Sequence, residues 1–230
     1  MNKPEQAVIL CGGLGTRLRP HTDHLPKPMI PCNGKPFLWY LLQQMEEQGI
    51  KRFILLTGYL AEKIEEYFKD GREWGWQIQY SQGPAEWDTG KRIWEAKEKL
   101  DDRFLLLYSD NFVPFPIEKV LALHNKNDLA LTFMISQKSP GNIALDEAGT
   151  VQKYDSNRSV ELEYVDICYT IVAKEKTLKF FESPECSFSP ILRKMAIQKQ
   201  ISAWIQHDAY HSISCLLYTS PSPRDAHESR

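Results

Sequence analysis

The chain has 230 residues, 42% of them hydrophobic and 25% charged, with a formal net charge of -2. That length can bury one substantial core, and the near-balance of Lys and Arg against Asp and Glu excludes a general pull toward nucleic acid or anionic membrane. Affinity for anions must therefore come from a local site.

Ala7 to Leu10 is a fully apolar run ending in Gly12-Gly13, as a buried parallel strand feeding a loop would. Pro36 opens a helix whose Leu38, Leu41, Leu42 and Met45 share one face, with Gly49 as its stop. Arg52 to Thr57 reads as a second buried strand. Leu60, Ile64, Tyr67 and Phe68 mark another helix before Gly71, and Gln77 to Ser81 a third strand. Arg92 to Leu100 reads as helix, Phe104 to Tyr108 as a fourth strand, Ile117 to Leu123 as helix and Leu129 to Ile135 as strand. From there Asn142 to Leu145 and Thr150 to Tyr154 form an expected antiparallel hairpin, joined by Asp146-Glu147-Ala148-Gly149. Tyr164 to Val172 is a further strand, with shorter helices expected over Glu175 to Phe181 and Pro190 to Lys199. Repeated βα units imply an α/β fold, a mostly parallel sheet with helices on both faces, and the hairpin implies a smaller mixed lobe. Residues 1–214 are expected to form one domain. The segment Cys215 to Arg230 breaks the pattern, and CLLYTSPSPRD resembles a sequencing adapter translated in one frame. A natural chain continuing past Ser214 is the matching expectation.

The five cysteines, Cys11, Cys32, Cys168, Cys186 and Cys215, form no CxxC pair and no zinc-finger spacing, which fits a reducing compartment. No run approaches the ~18 apolar residues of a membrane-spanning helix, and the N-terminus lacks a signal peptide's apolar region. A cytoplasmic location and no membrane partner are expected.

The densest chemistry lies in Leu10 to Met29, LCGGLGTRLRPHTDHLPKPM. Gly12, Gly13 and Gly15 directly follow a buried strand, where glycine permits close backbone approach and successive N–H groups can cradle phosphate oxygens. Thr16 adds a hydroxyl, Arg17 a planar fork suited to phosphate, and Arg19 a second nearby cation. The spacing fits neither the dinucleotide fingerprint GxGxxG nor the P-loop. Pro26-Lys27-Pro28 sets a lysine between two prolines, which is expected to hold Lys27 in an extended segment. Asp110, after the apolar strand FLLLY, is open to two roles: a carboxylate for Mg²⁺, which takes one or two carboxylates plus phosphate oxygens, or a helix cap.

GGLGTRLRP followed by PKPM, then Lys35-Pro36 and a helix, resembles the signature of the sugar-1-phosphate nucleotidyltransferases, and the likeness continues through Gly58-Tyr59, Thr89-Gly90 and Ser109-Asp110. It implies a Rossmann-like three-layer fold of the GT-A-like type and transfer of a nucleotidyl group from a nucleoside triphosphate to a sugar 1-phosphate. Under this resemblance Arg17, Lys27 and Asp110 are the catalytic set, with Asp110 the Mg²⁺ ligand. Leu10, Gly12, Gly13, Gly15, Thr16, Gln82 and Thr89 meet the nucleotide. Gly141, Asn142 and Asp166 fall at sugar-contacting positions, and a homo-oligomer is left open. The family's Glu-Lys-Pro is missing from YDSNRS, so Lys153 or Arg158 either replaces its phosphate-binding lysine or is a solvated charge. Lys91 and Arg92 replace small residues, Trp87 either stacks on a base or packs locally, Cys168 stands at a frequent glycine, and Ser212 stands where many members carry a second metal aspartate. Tyr210 belongs to that last segment. A non-catalytic, ligand-binding relative is the competing expectation.

Overall fold

The computed structural model describes residues 3–183, 185, 187–208 and 211–213. Tyr210, Cys186 and the segment from Cys215 onward lie outside them. The chain runs β1 (Gln6–Leu10), β2 (Pro31–Cys32), β3 (Lys35–Pro36), α1 (Phe37–Glu47), β4 (Arg52–Thr57), α2 (Ala61–Phe68), β5 (Gln77–Gln82), α3 (Thr89–Glu95) and β6 (Arg103–Tyr108). It continues through β7 (Asn111–Phe112), α4 (Ile117–Asn127), β8 (Leu131–Gln137), β9 (Gly141–Leu145), β10 (Val151–Ser159), β11 (Tyr164–Ala173), α5 (Lys174–Leu178), α6 (Phe188–Ile197), β12 (Ile201–Gln206) and β13 (His211–Ser212).

Nine strands share one sheet in the order β10-β9-β11-β6-β1-β4-β5, with β8 branching from β11 and β12 pairing with β8. β1 lies parallel to both β4 and β6, and β5 extends the parallel block. Every residue of β1 is buried. Ala7 and Ile9 join the core on one face, with α1, α2 and α4, whereas Val8 and Leu10 join the core on the other, with α3 and α6. A strand covered on both faces has no polar side to show, which is why it reads as one apolar run.

The expected hairpin forms, but it does not make a separate sheet: β9 pairs with β11 at Tyr164, so the hairpin is the continuation of the central sheet. Boundaries move elsewhere. α3 starts at Thr89 rather than Arg92, because Asp88 caps it by accepting from the Gly90 N–H. Leu60 precedes α2 in a left-handed conformation, and Tyr67 faces solvent, stacked on Trp74, rather than the core. The β2–β3 hairpin turns at Asn33-Gly34, both at positive φ, the pair that a tight hairpin turn favours.

One buried polar link anchors the segment after β6 and β7. The Gln44 side chain on α1 donates to the Val113 carbonyl at 2.6 Å and accepts from the Tyr169 hydroxyl at 2.9 Å. It thereby ties the segment just after Asp110 to α1 and β11. Gln44→Leu is expected to cost roughly 1–3 kcal/mol for each partner left unpaired. In urea denaturation, Gln44→Leu combined with Tyr169→Phe should cost less than the sum of the single changes, since each residue satisfies the other. Simple additivity would contradict the link.

Candidate active site

The parallel strands β1, β4 and β6 end at one edge of the sheet, where α/β folds place their ligands. A cleft of about 250 Å³ opens there, between the loop after β1, the start of α3 and the end of β6. The expected residues Leu10, Gly12, Gly13, Gly15, Arg17, Lys27, Thr89 and Asp110 all line it.

The glycine loop is held from several sides. The Cys11 N–H donates to the Leu56 carbonyl at 2.9 Å, and the Tyr59 N–H donates to the Gly12 carbonyl at 3.2 Å. Gly15 adopts φ 62, a left-handed conformation that glycine takes without strain, and the Thr22 hydroxyl donates to its carbonyl at 3.0 Å. A Cβ at Gly12 would overlap the Arg92 guanidinium, so a side chain there would have to displace Arg92. Thr16 starts a short 3-10 turn and is exposed; it does not line the cleft, nor does Gln82 at the exposed end of β5.

Lys27 departs from expectation. Only Pro26 is extended; Lys27 begins a 3-10 turn, with the Met29 N–H donating to the Pro26 carbonyl at 2.8 Å and the Ile30 N–H to the Lys27 carbonyl at 3.2 Å. Those bonds outweigh the bias of a residue before proline toward extended backbone. The turn brings the Lys27 Nζ within 2.8 Å of Asp110 Oδ2, a pair whose side chains are 14% and 28% exposed. Asp110 caps no helix, since β7 follows it and α4 begins only at Ile117. Arg17 is exposed at the rim, and Arg19 pairs with Asp23 on the surface.

Asp166 lies behind Asp110. Its N–H donates to Asn142 Oδ1 at 3.0 Å, and its Oδ1 accepts from the Cys168 N–H at 2.7 Å. Burial pushes its carboxyl up to about 6; the Cys168 N–H bond opposes that rise and the negative charge of Asp110 adds a smaller push. Cys168 sits at φ 66 in the irregular stretch of β11, which explains why glycine suits that position. Gly141 has a local cause too: a Cβ there would overlap the carbonyls of Leu162 and Tyr164. Lys153 and Arg158 are exposed on β10, and neither lines the cleft. β13 sets Ser212 opposite Asn111, one residue from Asp110.

Sequence reasoning missed Cys11, Tyr108, Ser109 and Arg92 as cleft residues. Ser109 is buried and its hydroxyl donates to the Leu10 carbonyl at 2.7 Å, tying the end of β6 to the end of β1. Burial pushes the Tyr108 phenol well up. Trp87 packs over Gly83, where an added Cβ would overlap its ring, and also lines the cleft, so its local packing and its access to a ligand coexist. Only long-range pairing creates these placements.

A glycine loop, the cations Arg17, Lys27 and Arg92, and the carboxylate of Asp110 thus meet at the carboxyl edge of a parallel sheet, where α/β folds place their ligands. Residues 6–155 match the model of the nucleotidyl transferase family, and the chain belongs to that family. It is 38% identical over 150 residues to D-glycero-alpha-D-manno-heptose 1-phosphate guanylyltransferase of Campylobacter jejuni, covering 65% of this chain and 67% of that one. It is 34% identical over 148 residues to a probable glucose-1-phosphate cytidylyltransferase of Bacillus subtilis, covering 55% of this chain and 58% of that one. HddC of Yersinia pseudotuberculosis shares the fold, with TM-score 0.76, 22% identity and coverage of 91% and 94%. Against these two curated relatives the matched stretch thus spans about two thirds of one and 58% of the other. Among the described residues no helix is long and apolar enough to cross a membrane.

The raised Asp166 carboxyl has a definite sign. A group that holds its proton more tightly when folded favours folding below its unfolded pKa, and that contribution is lost as pH rises through the folded value. Stability is therefore expected to fall between about pH 4 and pH 6 through Asp166. Asp166→Asn should remove that slope and raise the denaturation midpoint at pH 7 relative to the unmodified protein. An unchanged slope would mean that Asp166 titrates normally.

Proposed function

We propose that this protein transfers a nucleotidyl group from a nucleoside triphosphate to a sugar 1-phosphate, releasing pyrophosphate and forming a nucleotide-activated sugar for glycan precursor synthesis. The Lys27–Asp110 pair carries the reading: it sets a cation and a carboxylate against a glycine cradle, in a chain 38% identical to a heptose 1-phosphate guanylyltransferase.

In this account the amides of Gly12 to Gly15 hold the triphosphate, and Arg17 and Lys27 neutralise its charge. An oxygen of the sugar 1-phosphate attacks the α-phosphorus in line, and the bond to the pyrophosphate oxygen breaks. The attacking group is already an anion, so no side chain has to remove a proton. The site's contribution is positioning and charge neutralisation. Leu10 and Thr89, which line the cleft, border the nucleotide, and Asn142 and Asp166, on the Asp110 side, border the sugar phosphate; Thr16, Gln82, Lys153 and Arg158 stand outside the cleft and take no part.

The donor set fits Mg²⁺. Two carboxylates, Asp110 and Asp166, stand close enough for one charge to raise the other's pKa, and a divalent cation relieves that repulsion. Asp110 would hold the ion, which supplies further neutralisation of the phosphates. Lys27 is then free to turn from Asp110 to a phosphate oxygen. The thiols of Cys11, Cys32 and Cys168 are free, which supports a reducing, cytoplasmic setting.

Pyrophosphate release with GTP, CTP, UTP and dTTP against a panel of sugar 1-phosphates, heptose and glucose among them, tests the reading. Arg17→Ala and Asp110→Asn are each expected to lower kcat/KM by about a hundredfold or more, the scale of losing one preorganised charge contact. Chelation of divalent metal should abolish turnover and its restoration with Mg²⁺ recover it. Unchanged turnover in either variant would refute the assignment. Tight triphosphate binding without pyrophosphate release would favour a non-catalytic relative.

A further inference from the structure

Among the described residues Arg92 is the one Lys, Arg, Asp or Glu that is buried, 4% exposed on the first turns of α3. Its Nη1 donates to the Thr57 carbonyl at 2.6 Å. Its Nη2 faces the carbonyls of Pro84 at 2.7 Å, Gly12 at 3.2 Å and Ala85 at 3.4 Å. These acceptors belong to three separate segments: the glycine loop, the end of β4, and the loop from β5 to α3. A planar guanidinium can satisfy several carbonyls at fixed angles, which an ammonium cannot.

Two further observations show that the segments are shaped around this group. A Cβ at Gly12 or at Gly58 would overlap the guanidinium. All four hydrogen bonds go to backbone carbonyls, and Asp88 and Glu86 act on Arg92 only through space. The charge is therefore solvated by peptide dipoles and not cancelled by a carboxylate. The four carbonyl bonds offset the cost of burying the guanidinium, and its positive charge remains available to an anion in the cleft. Arg92 also lines the cleft.

We propose that Arg92 is a positioning residue of the nucleotide site: its guanidinium locks the glycine loop, the end of β4 and the β5–α3 loop into one rim, and its uncancelled charge favours the triphosphate held there. The second half rests on the nucleotide reading above; the first half is a property of the ligand-free chain.

Arg92→Lys keeps the charge and loses the fork, and Arg92→Met keeps the stem and loses both. Hydrogen exchange on the ligand-free protein is expected to speed up in Arg92→Lys at residues 11–15 and 83–90, and to stay unchanged in α4 and β8. In turnover, the KM for the triphosphate should rise about tenfold in Arg92→Lys, the scale of losing one hydrogen bond to a charged group, and further in Arg92→Met. The KM for the sugar 1-phosphate should stay within about twofold, a difference of ~0.4 kcal/mol. Unchanged exchange in Arg92→Lys overturns the lock. Equal rises in both KM values overturn the positioning role, since a loosened fold would move both. The ligand-free exchange decides the lock even if the unmodified protein bound no triphosphate, an outcome that would sink the nucleotide reading alone. Arg92→Lys carries the test if Arg92→Met does not fold.

Discussion

The Lys27 ammonium and the Asp110 carboxylate meet at 2.8 Å although 83 positions separate them in the chain. That contact depends on β1 and β6 running side by side in parallel, from Ala7 opposite Leu105 to Leu10 opposite Tyr108. The register carries the loop after β1 and the residue after β6 to the same edge. The Ser109 hydroxyl, bonded to the Leu10 carbonyl, fixes the two strand ends to each other. A slip of one residue would turn Val8 and Ile9 to the wrong faces of the sheet, so the two cores enforce the same alignment that the site requires. Stability and chemistry are therefore set by one constraint.

Within that edge the charges are graded by burial. Arg17 stands exposed at the rim, Lys27 is partly covered and paired, and Arg92 is buried beneath the loop. The cleft thus presents cations at three depths. On the carboxylate side, Asp110 is reached directly from the cleft, and Asp166 lies behind it among Asn142, Cys168 and β11. Lys153 and Arg158, by contrast, stay on the exposed surface of β10. The glycine loop and Asp110 thus share one cleft, and the charges of the hairpin lie outside it.

Much of this was legible in the sequence, and the reasons are physical. The apolar runs of β1, β4 and β6 signal strands buried on both faces, and the glycines directly after β1 signal a loop that a ligand approaches closely. Asp110 could be placed at the edge because it follows such a run. What escaped were features that exist only between distant segments. In the sequence Arg92 stands out only as a replacement for a small residue, and its four carbonyl partners, up to 80 positions away, are seen only in the fold. The 3-10 turn at Lys27 was hidden because local proline sterics favour the extended backbone, and only the hydrogen bonds of the next residues reverse that bias. Asp88 as the cap of α3 was open to recognition, being an aspartate just ahead of Thr89-Gly90, and it would have moved the helix start to its true place.

The central claim is spatial: a divalent ion held by Asp110 sits against a triphosphate cradled by the glycine loop. Backbone amide spectra of the protein with a non-hydrolysable nucleoside triphosphate and Mn²⁺ in place of Mg²⁺ test it most directly. The account predicts that paramagnetic broadening removes the amide signals of residues 11–17 and 109–111 first and leaves those of α4 and β12 intact. Broadening centred elsewhere, with the glycine loop and Asp110 unaffected, would contradict it.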